Sequence, residues 1–467
     1  MFANLINGIN NALYSYVLII LLVLGGLYFT VRTRFAQFRL LGHQFRAVTE
    51  KSDQNGVSSF QALMVSTASR VGTGNIIGVA TALCVGGFGS VFWMWVIAII
   101  GGATAFVEST LAQIYKKRGK DGCYGGPAYY IEAAFKGKKG VAVVFSVFLV
   151  LTYGVGFNML ASYNLQSTFS SYSFYNTATT PWIIGFIIAA LVCYCLLGGG
   201  KRIVSVTGVL VPVMGAIYIV VALVITILNA NMLPQVFRQI FAGAFDLQAI
   251  FGGFGGSCVM YGIKRGLFSN EAGVGSAPNA AASADIAHPA KQGLVQTLSV
   301  FIDTLLVCSA TAFMCMTSGV TPPDSSAEAA AYVQASISTT LGSIGPIFIT
   351  VAMVFFAFTT LLGNLFYVDK AINYLFGREP GKAFRTVCYI IGSLIIFVGA
   401  GLSADMLWNI ADVLMGGMTI INIPVILYLG KYAYRALRDY ERRVKSGGEM
   451  RFCKKDIGLT TETDYWN

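Results

Sequence analysis

Residues 251–284 read FGGFGGSCVMYGIKRGLFSNEAGVGSAPNAAASA, and the fold turns on how this stretch is understood. It has the apolar length of a membrane crossing, yet Lys264, Arg265, Asn270 and Glu271 stand in it among repeated glycines. Glycine permits unwound backbone, and a charge inside a bilayer needs a partner or a watery cavity. A second stretch has the same character: Arg70-Val71-Gly72-Thr73-Gly74-Asn75, followed by Gly78. Both read as helices interrupted in mid-bilayer.

Around them the chain is strongly apolar. Of its 467 residues 55% are hydrophobic and only 11% charged, with a mean hydropathy of +0.67. A soluble domain carries about 25% charged residues. The apolar residues come in blocks of roughly 20, the helical length that crosses a bilayer core. Runs such as Tyr16–Leu27 and Val209–Leu228 do not alternate with period 2, so helices rather than a barrel satisfy the backbone. The expected fold is therefore all-α: a polytopic membrane protein of eleven transmembrane helices. They fall at roughly 14–32, 61–86, 90–114, 142–167, 182–198, 204–229, 246–281, 294–317, 343–367, 384–402 and 409–430. The N-terminus has no basic region or small-residue cleavage site before the first block, which reads as a retained span. The nine cysteines form no CxxC pair and mostly lie in apolar stretches, as small hydrophobes.

Charge orients the bundle. Of the 32 Lys and Arg, 28 fall in alternate loops or the tail: Arg32–Lys51, Lys116–Lys139, Lys201 and Arg202, Lys291, Lys370–Arg385 and the chain from Lys431. Basic residues collect on the cytoplasmic side, which puts the N-terminus outside and the C-terminus in the cytoplasm of a cell (inner) membrane. The net charge of +11 is explained by topology, with no nucleic acid as partner. Residues 34–51 mix Phe35, Phe38, Leu41 and Phe45 with basic residues, as an interfacial helix does.

With the first helix set aside, the other ten form two sets of five, each led by an interrupted helix. An odd number per set inverts the second set, so the arrangement is a 5+5 inverted repeat. The expected organisation is an N-terminal helix and interfacial segment (1–59), two five-helix repeats (60–230 and 245–430) and a cytoplasmic tail (431–467). Each interruption exposes N–H groups at one half-helix start and C=O groups at the other half-helix end. The first favours a carboxylate and the second a small cation, which suits a zwitterionic amino acid and a sodium ion.

Several segments carry a family resemblance: STASRVGTGNIIGVATAL (66–83), FVESTLAQIYK (106–116), YGGPAYYIE (124–132), RGLFSNEAGVGSAPNAAASA (265–284) and FAFTTLLGNLFYVDKAINYLFG (356–377). They resemble the alanine or glycine:cation symporters from the second span onward. That resemblance implies a leucine-transporter-type core of ten helices with one extra N-terminal helix. It also implies sodium-driven uptake of a small neutral amino acid (alanine, glycine or a polar one such as glutamine). By the same resemblance Thr73 and Gly74 contact the substrate, with their N–H groups and the Thr73 hydroxyl on its carboxylate. Phe268, Ser269 and Asn270 occupy the second interruption, Phe268 as a pocket wall and Asn270 as an acceptor for the ammonium. Thr359 and Thr360 match the hydroxyl pair that helps bind sodium, joined by backbone carbonyls near Ser69 and Gly72. Two departures stand out. Many relatives have Trp where this chain has Asn364, one turn beyond Thr360, and Gln where it has Ala161. A smaller wall and an added amide fit a larger or more polar substrate such as glutamine.

The remaining charges in or near spans read first as structural. Glu271 is expected to pair with Arg265 or Arg70, and Glu108 to neutralise Arg70; Asp303 and Asp412 are candidate coupling residues. Thr359 and Thr360 also have a plain alternative, a bond to the carbonyl three or four residues back. His43 and His288 lie in loops and support no proton relay. Proton coupling is the nearest alternative within transport. A channel needs a symmetric or repeated filter, and an enzyme a nucleophile–base set or metal ligands; neither pattern occurs, nor does a P-loop. The carrier is expected to work as a monomer.

Overall fold

The computed structural model describes residues 2–50, 57–119, 122–246, 257–448 and 450–466. Lys51 and the opening FGGFGG of the deciding stretch lie outside them. Helix begins at Phe2 and runs into α1 (Leu18–Arg32), and α2 (Leu41–Thr49) follows. Next come α3 (Ser59–Arg70), α4 (Gly74–Gly86), α5 (Ser90–Ile114), α6 (Gly140–Ser167), α7 (Thr180–Leu196), α8 (Gly199–Leu228) and α9 (Leu233–Ala244). α10 (Cys258–Asn270) and the short α11 (Pro278–Ala281) precede α12 (Pro289–Met316), α13 (Ile344–Phe376), α14 (Lys382–Gly399) and α15 (Ala404–Ser446).

Among the described residues seven helices are long and apolar enough to cross a membrane, and α3 with α4, bent by 49°, makes an eighth. Burial sorts them. α5 and α12 have 72% and 78% of their apolar windows inside the protein, whereas α8 and α14 have 28% and 22%. The first pair is the central post, against which α1, α10 and α15 pack. The second pair turns Val213, Ile217, Val220, Leu223, Ile391 and Leu394 outward, an apolar belt that only lipid covers at low cost.

The interruptions have local causes. α3 starts in a capping box, Ser58 and Gln61 each accepting the other's backbone N–H. It ends at Val71, where ψ turns to 87°. Asn75 Oδ1 then accepts the Gly72 N–H at 2.7 Å and holds the chain until helix resumes at Gly74. The second interruption lies further along than the sequence suggests. Leu267 to Asn270, expected to be unwound, form the last turn of α10. Asn270 Oδ1 accepts the Ala272 N–H at 3.0 Å, Glu271 takes a left-handed φ of 55°, and the chain turns through 271–277. At Gly273, with φ of 90°, a Cβ would lie 2.7 Å from Ile423 Cδ1, so only glycine fits.

The end of the tail folds back onto the bundle. Phe452, Ile457, Leu459 and Trp466 are buried at the basic end of the bundle. Trp466 Nε1 donates to the Gln113 carbonyl at 2.8 Å, and the Lys116 ammonium lies 4.8 Å from its ring centroid. His288, expected in an open loop, is buried beside it: its Nδ1 accepts the Ala290 N–H and its Nε2 faces Asp439 at 3.2 Å. Burial lowers the His288 pKa, so the ring stays neutral. Burial alone would raise Asp439, but hydrogen bonds from His288, Arg443 and Arg442 hold it well below the usual carboxylate range. Trp466→Ala is expected to cost about 3 kcal/mol of docking energy. Trypsin should then cut after Lys454 and Lys455 at least about tenfold faster; an unchanged rate would mean the tail does not depend on this anchor.

Candidate functional site

The two interruptions are pressed together at the centre of the bundle. A Cβ on Gly74 would touch the Phe268 ring at 3.0 Å, and Ser69 Oγ lies 2.8 Å from Glu271 Oε1. Every expected site residue is buried here. They fall into three groups with different chemistry.

The first is an apolar wall. Phe268 packs on Phe157 and Trp408 with ring centroids 4.5 and 4.9 Å apart, and the Arg265 guanidinium covers Trp408 at 3.8 Å. Thr73 and Gly74 stand where α4 begins, the electropositive end of a half-helix. Asn164 donates to Thr73 Oγ1 at 3.3 Å. Asn158 and Ser162 of the same helix, α6, carry a buried amide nitrogen and a buried hydroxyl without a protein partner.

The second group surrounds Gly72. Thr360 Oγ1 is buried with no hydrogen-bond partner, and a Cβ on Gly72 would fall 1.8 Å from it. Glycine at 72 is what lets this hydroxyl reach the backbone of the interruption. Thr359 behaves differently. Its proton goes back to the Phe355 carbonyl at 3.0 Å and its oxygen lies 3.6 Å from Met214 Sδ, which leaves it only lone pairs to offer a cation.

The third group was not assembled from sequence. Asp303 accepts from Asn75 Nδ2 at 2.7 Å, from Ser269 Oγ at 2.9 Å and from Thr304 Oγ1 at 2.7 Å, with Cys308 Sγ 3.1 Å from Ser269. Three segments, α4, α10 and α12, meet at this carboxyl. Polar residues within apolar spans mark such sites, and Asn75, Asn158, Asn164 and Asp303 all carry that signal. Their convergence is a matter of helix rotation, which the sequence does not display.

Several expected pairings are corrected. Glu271 binds neither Arg265 nor Arg70; Ser69 and Ser276 donate to it, the latter at 2.6 Å. Arg265 instead shares Asp412 with Lys264, at 3.1 and 2.8 Å, so Asp412 is held between two cations. Glu108 accepts from the Gly273 N–H and from Asn422, and forms no ion pair with Arg70. Asn270 does not offer its oxygen, which caps Ala272; its buried NH2 is the unpartnered end. Asn364 lies with Oδ1 2.7 Å from Ser69 Oγ and donates from Nδ2 to Asn158 Oδ1 at 2.9 Å, which engages one of its two N–H donors.

Comparisons with known proteins give the family and the fold. The profile of the sodium:alanine symporter family matches residues 1–454. The amino-acid carrier protein AlsT of Bacillus subtilis is 40% identical over 466 residues, covering 100% of this chain and 98% of its own. The probable sodium/glutamine symporter GlnT of the same organism is 40% identical over 464 residues, covering 98% and 94%. Among solved structures, MhsT in complex with L-phenylalanine superposes with a TM-score of 0.59 at 15% identity, covering 83% of this chain and 93% of that one. This likeness shows a mostly helical fold shared with that transporter.

Proposed function

Because this chain belongs to the sodium:alanine symporter family, we propose that it imports a small neutral amino acid, glutamine among the candidates with alanine and glycine, on the inward gradient of sodium. The observation that carries the reading is the buried, unpartnered Thr360 hydroxyl against the backbone at Gly72. A hard oxygen beside unwound main chain is what a sodium ion requires. Thr360 and the carbonyls of Ser69 and Gly72 hold the ion in this reading, with a lone pair of Thr359.

The substrate lies against Phe268. Its carboxylate meets the N–H groups of Thr73 and Gly74 at the start of α4, and its polar side chain reaches the free amide nitrogens of Asn158 and Asn270. Asp303, with Ser269 and Asn75, offers a second anionic corner for a cation. Arg265 on Trp408 and Phe268 close the pocket from the end opposite the basic loops. We place eleven helices across the bilayer, one N-terminal and ten in a 5+5 inverted repeat. The basic end and the docked tail face the cytoplasm of the cell membrane, the N-terminus lies outside, and each monomer is a complete carrier.

Counterflow in proteoliposomes with each of the twenty amino acids, with and without sodium, tests this directly. Saturable, sodium-dependent exchange confined to small neutral substrates is expected, with glutamine competing against alanine at comparable concentrations. Exchange indifferent to sodium would remove the ion site. Alanine and glycine far outcompeting glutamine and asparagine would remove the enlarged pocket.

A further inference from the structure

Arg70 is the largest fully buried side chain among the described residues, and it closes α3 immediately before the first interruption. Only Nη1 is engaged, with Gln296 Oε1 at 3.0 Å and the Gln296 carbonyl at 3.4 Å. Its Nε and Nη2 have no hydrogen-bond partner, and Gln296 Nε2 has none either. A guanidinium stays charged at any physiological pH and carries five donors, so this anchorage is unusually thin.

Three carboxyl groups from three other segments lie within its electrostatic reach: Glu108 on α5, Glu271 in the second interruption and Asp303 on α12. None forms an ion pair with it, and each is satisfied by neutral donors, chiefly serine, threonine, asparagine and backbone N–H. One guanidinium thus stands among three buried carboxyl groups with donors unused. Buried charge without a partner is costly, and the cost changes whenever a cation enters or leaves nearby. Ser69 and Gly72, neighbours of Arg70 in sequence, belong to the sodium site proposed above.

Resting on that reading, we propose that Arg70 is the internal counter-cation of the carrier. When sodium leaves, the guanidinium moves from Gln296 to these three carboxyl groups and so lets the empty carrier return. While sodium is bound, the ion does that work and Arg70 stays parked on Gln296. Arg70 is a positioning residue in this scheme and does not touch the substrate.

Separating net transport from exchange tests the idea, because only net transport needs the empty carrier to cross. Arg70→Gln in proteoliposomes is expected to lower sodium-gradient-driven net uptake by about tenfold or more, while sodium-dependent counterflow falls by no more than about threefold. Arg70→Lys should recover part of the net uptake. Parallel loss of both activities, or loss of neither, overturns the proposal. Should Arg70→Gln fail to accumulate, Gln296→Leu removes the parking place instead. The sodium concentration for half-maximal counterflow should then rise about threefold or more, since the guanidinium competes with the ion; an unchanged value overturns the proposal. The parent protein is the control. Sodium-driven uptake by the parent with no split in the variants defeats Arg70 alone, whereas a parent that ignores sodium defeats the symport reading and Arg70 with it.

Discussion

Thr360→Val is expected to abolish sodium stimulation of uptake while leaving the protein as stable as the parent. Valine keeps the volume of threonine and removes only the hydroxyl oxygen. That hydroxyl is buried against Gly72 without a hydrogen-bond partner, so deleting it relieves an unsatisfied polar group and should cost nothing in folding. A structural role would show the reverse, a lower melting temperature with sodium dependence intact. The loss in sodium-stimulated initial rate should be at least about tenfold, equivalent to about 1.4 kcal/mol of ion binding. Gly72→Ala approaches the same site from the other side. Its Cβ would sit 1.8 Å from Thr360 Oγ1, so it should lose sodium stimulation and stability together. Full sodium dependence in Thr360→Val would end the ion-site assignment.

The second large effect concerns the pair of cations in the middle of α10. Asp412 is fully buried, and its carboxylate alone faces both Lys264 and Arg265. Tyr14, on the helical turn just before α1, donates to the Asp412 carbonyl at 3.2 Å, and the Lys264 ammonium lies 4.9 Å from its ring centroid. Asp412→Asn leaves two buried cations without a counter-charge and is expected to destabilise the protein by about 3–5 kcal/mol. Lys264→Met removes one of the two cations instead, reduces the cluster to a one-to-one pair, and should be mild by comparison. Melting temperatures of the two detergent-solubilised variants decide it. Equal losses, or a larger loss for Lys264→Met, would show that packing rather than charge governs this corner.

Several features were open to reading from the residues. The first interruption at Val71–Gly72 follows from a glycine-rich, polar stretch set in an apolar run, and such a stretch has few stable conformations in a membrane. The second was visible as a feature but misplaced, because glycine density drew attention while the end of α10 was set by Asn270 capping Ala272 and by the left-handed turn at Glu271. A local hydrogen bond of that kind is decided by backbone angles. The tail shows another limit. RFCKKDIGLTTETDYWN looks polar, yet Phe452, Ile457, Leu459 and Trp466 bury themselves because α5 and the chain around 284–288 offer them a surface.

The ion-pair expectations failed for one physical reason. Sequence counts charges but not the directions in which helices present them. Arg70 and Glu271 stand at the two interruptions, and Glu108 is near both, yet serines, an asparagine and a backbone N–H meet the carboxyl groups while Arg70 rests on a glutamine. The same blindness hid the carboxyl centre at Asp303, whose donors come from residues 75, 269 and 304.

What the sequence alone determined is the solvent and the chemistry: a helical membrane carrier, because its apolar blocks have bilayer length and its charges gather in alternate loops, with two glycine-broken helices to supply main-chain ligands. What only the tertiary structure decided is which side chains face one another. Helix rotation and the turn after Asn270 set that, leaving the Thr360 hydroxyl beside Gly72 without a partner and Arg70 among three carboxyl groups it does not bind. Composition and spacing follow from the chain itself, whereas pairing distances of about 3 Å depend on packing across segments hundreds of residues apart, to which a linear pattern carries no guide.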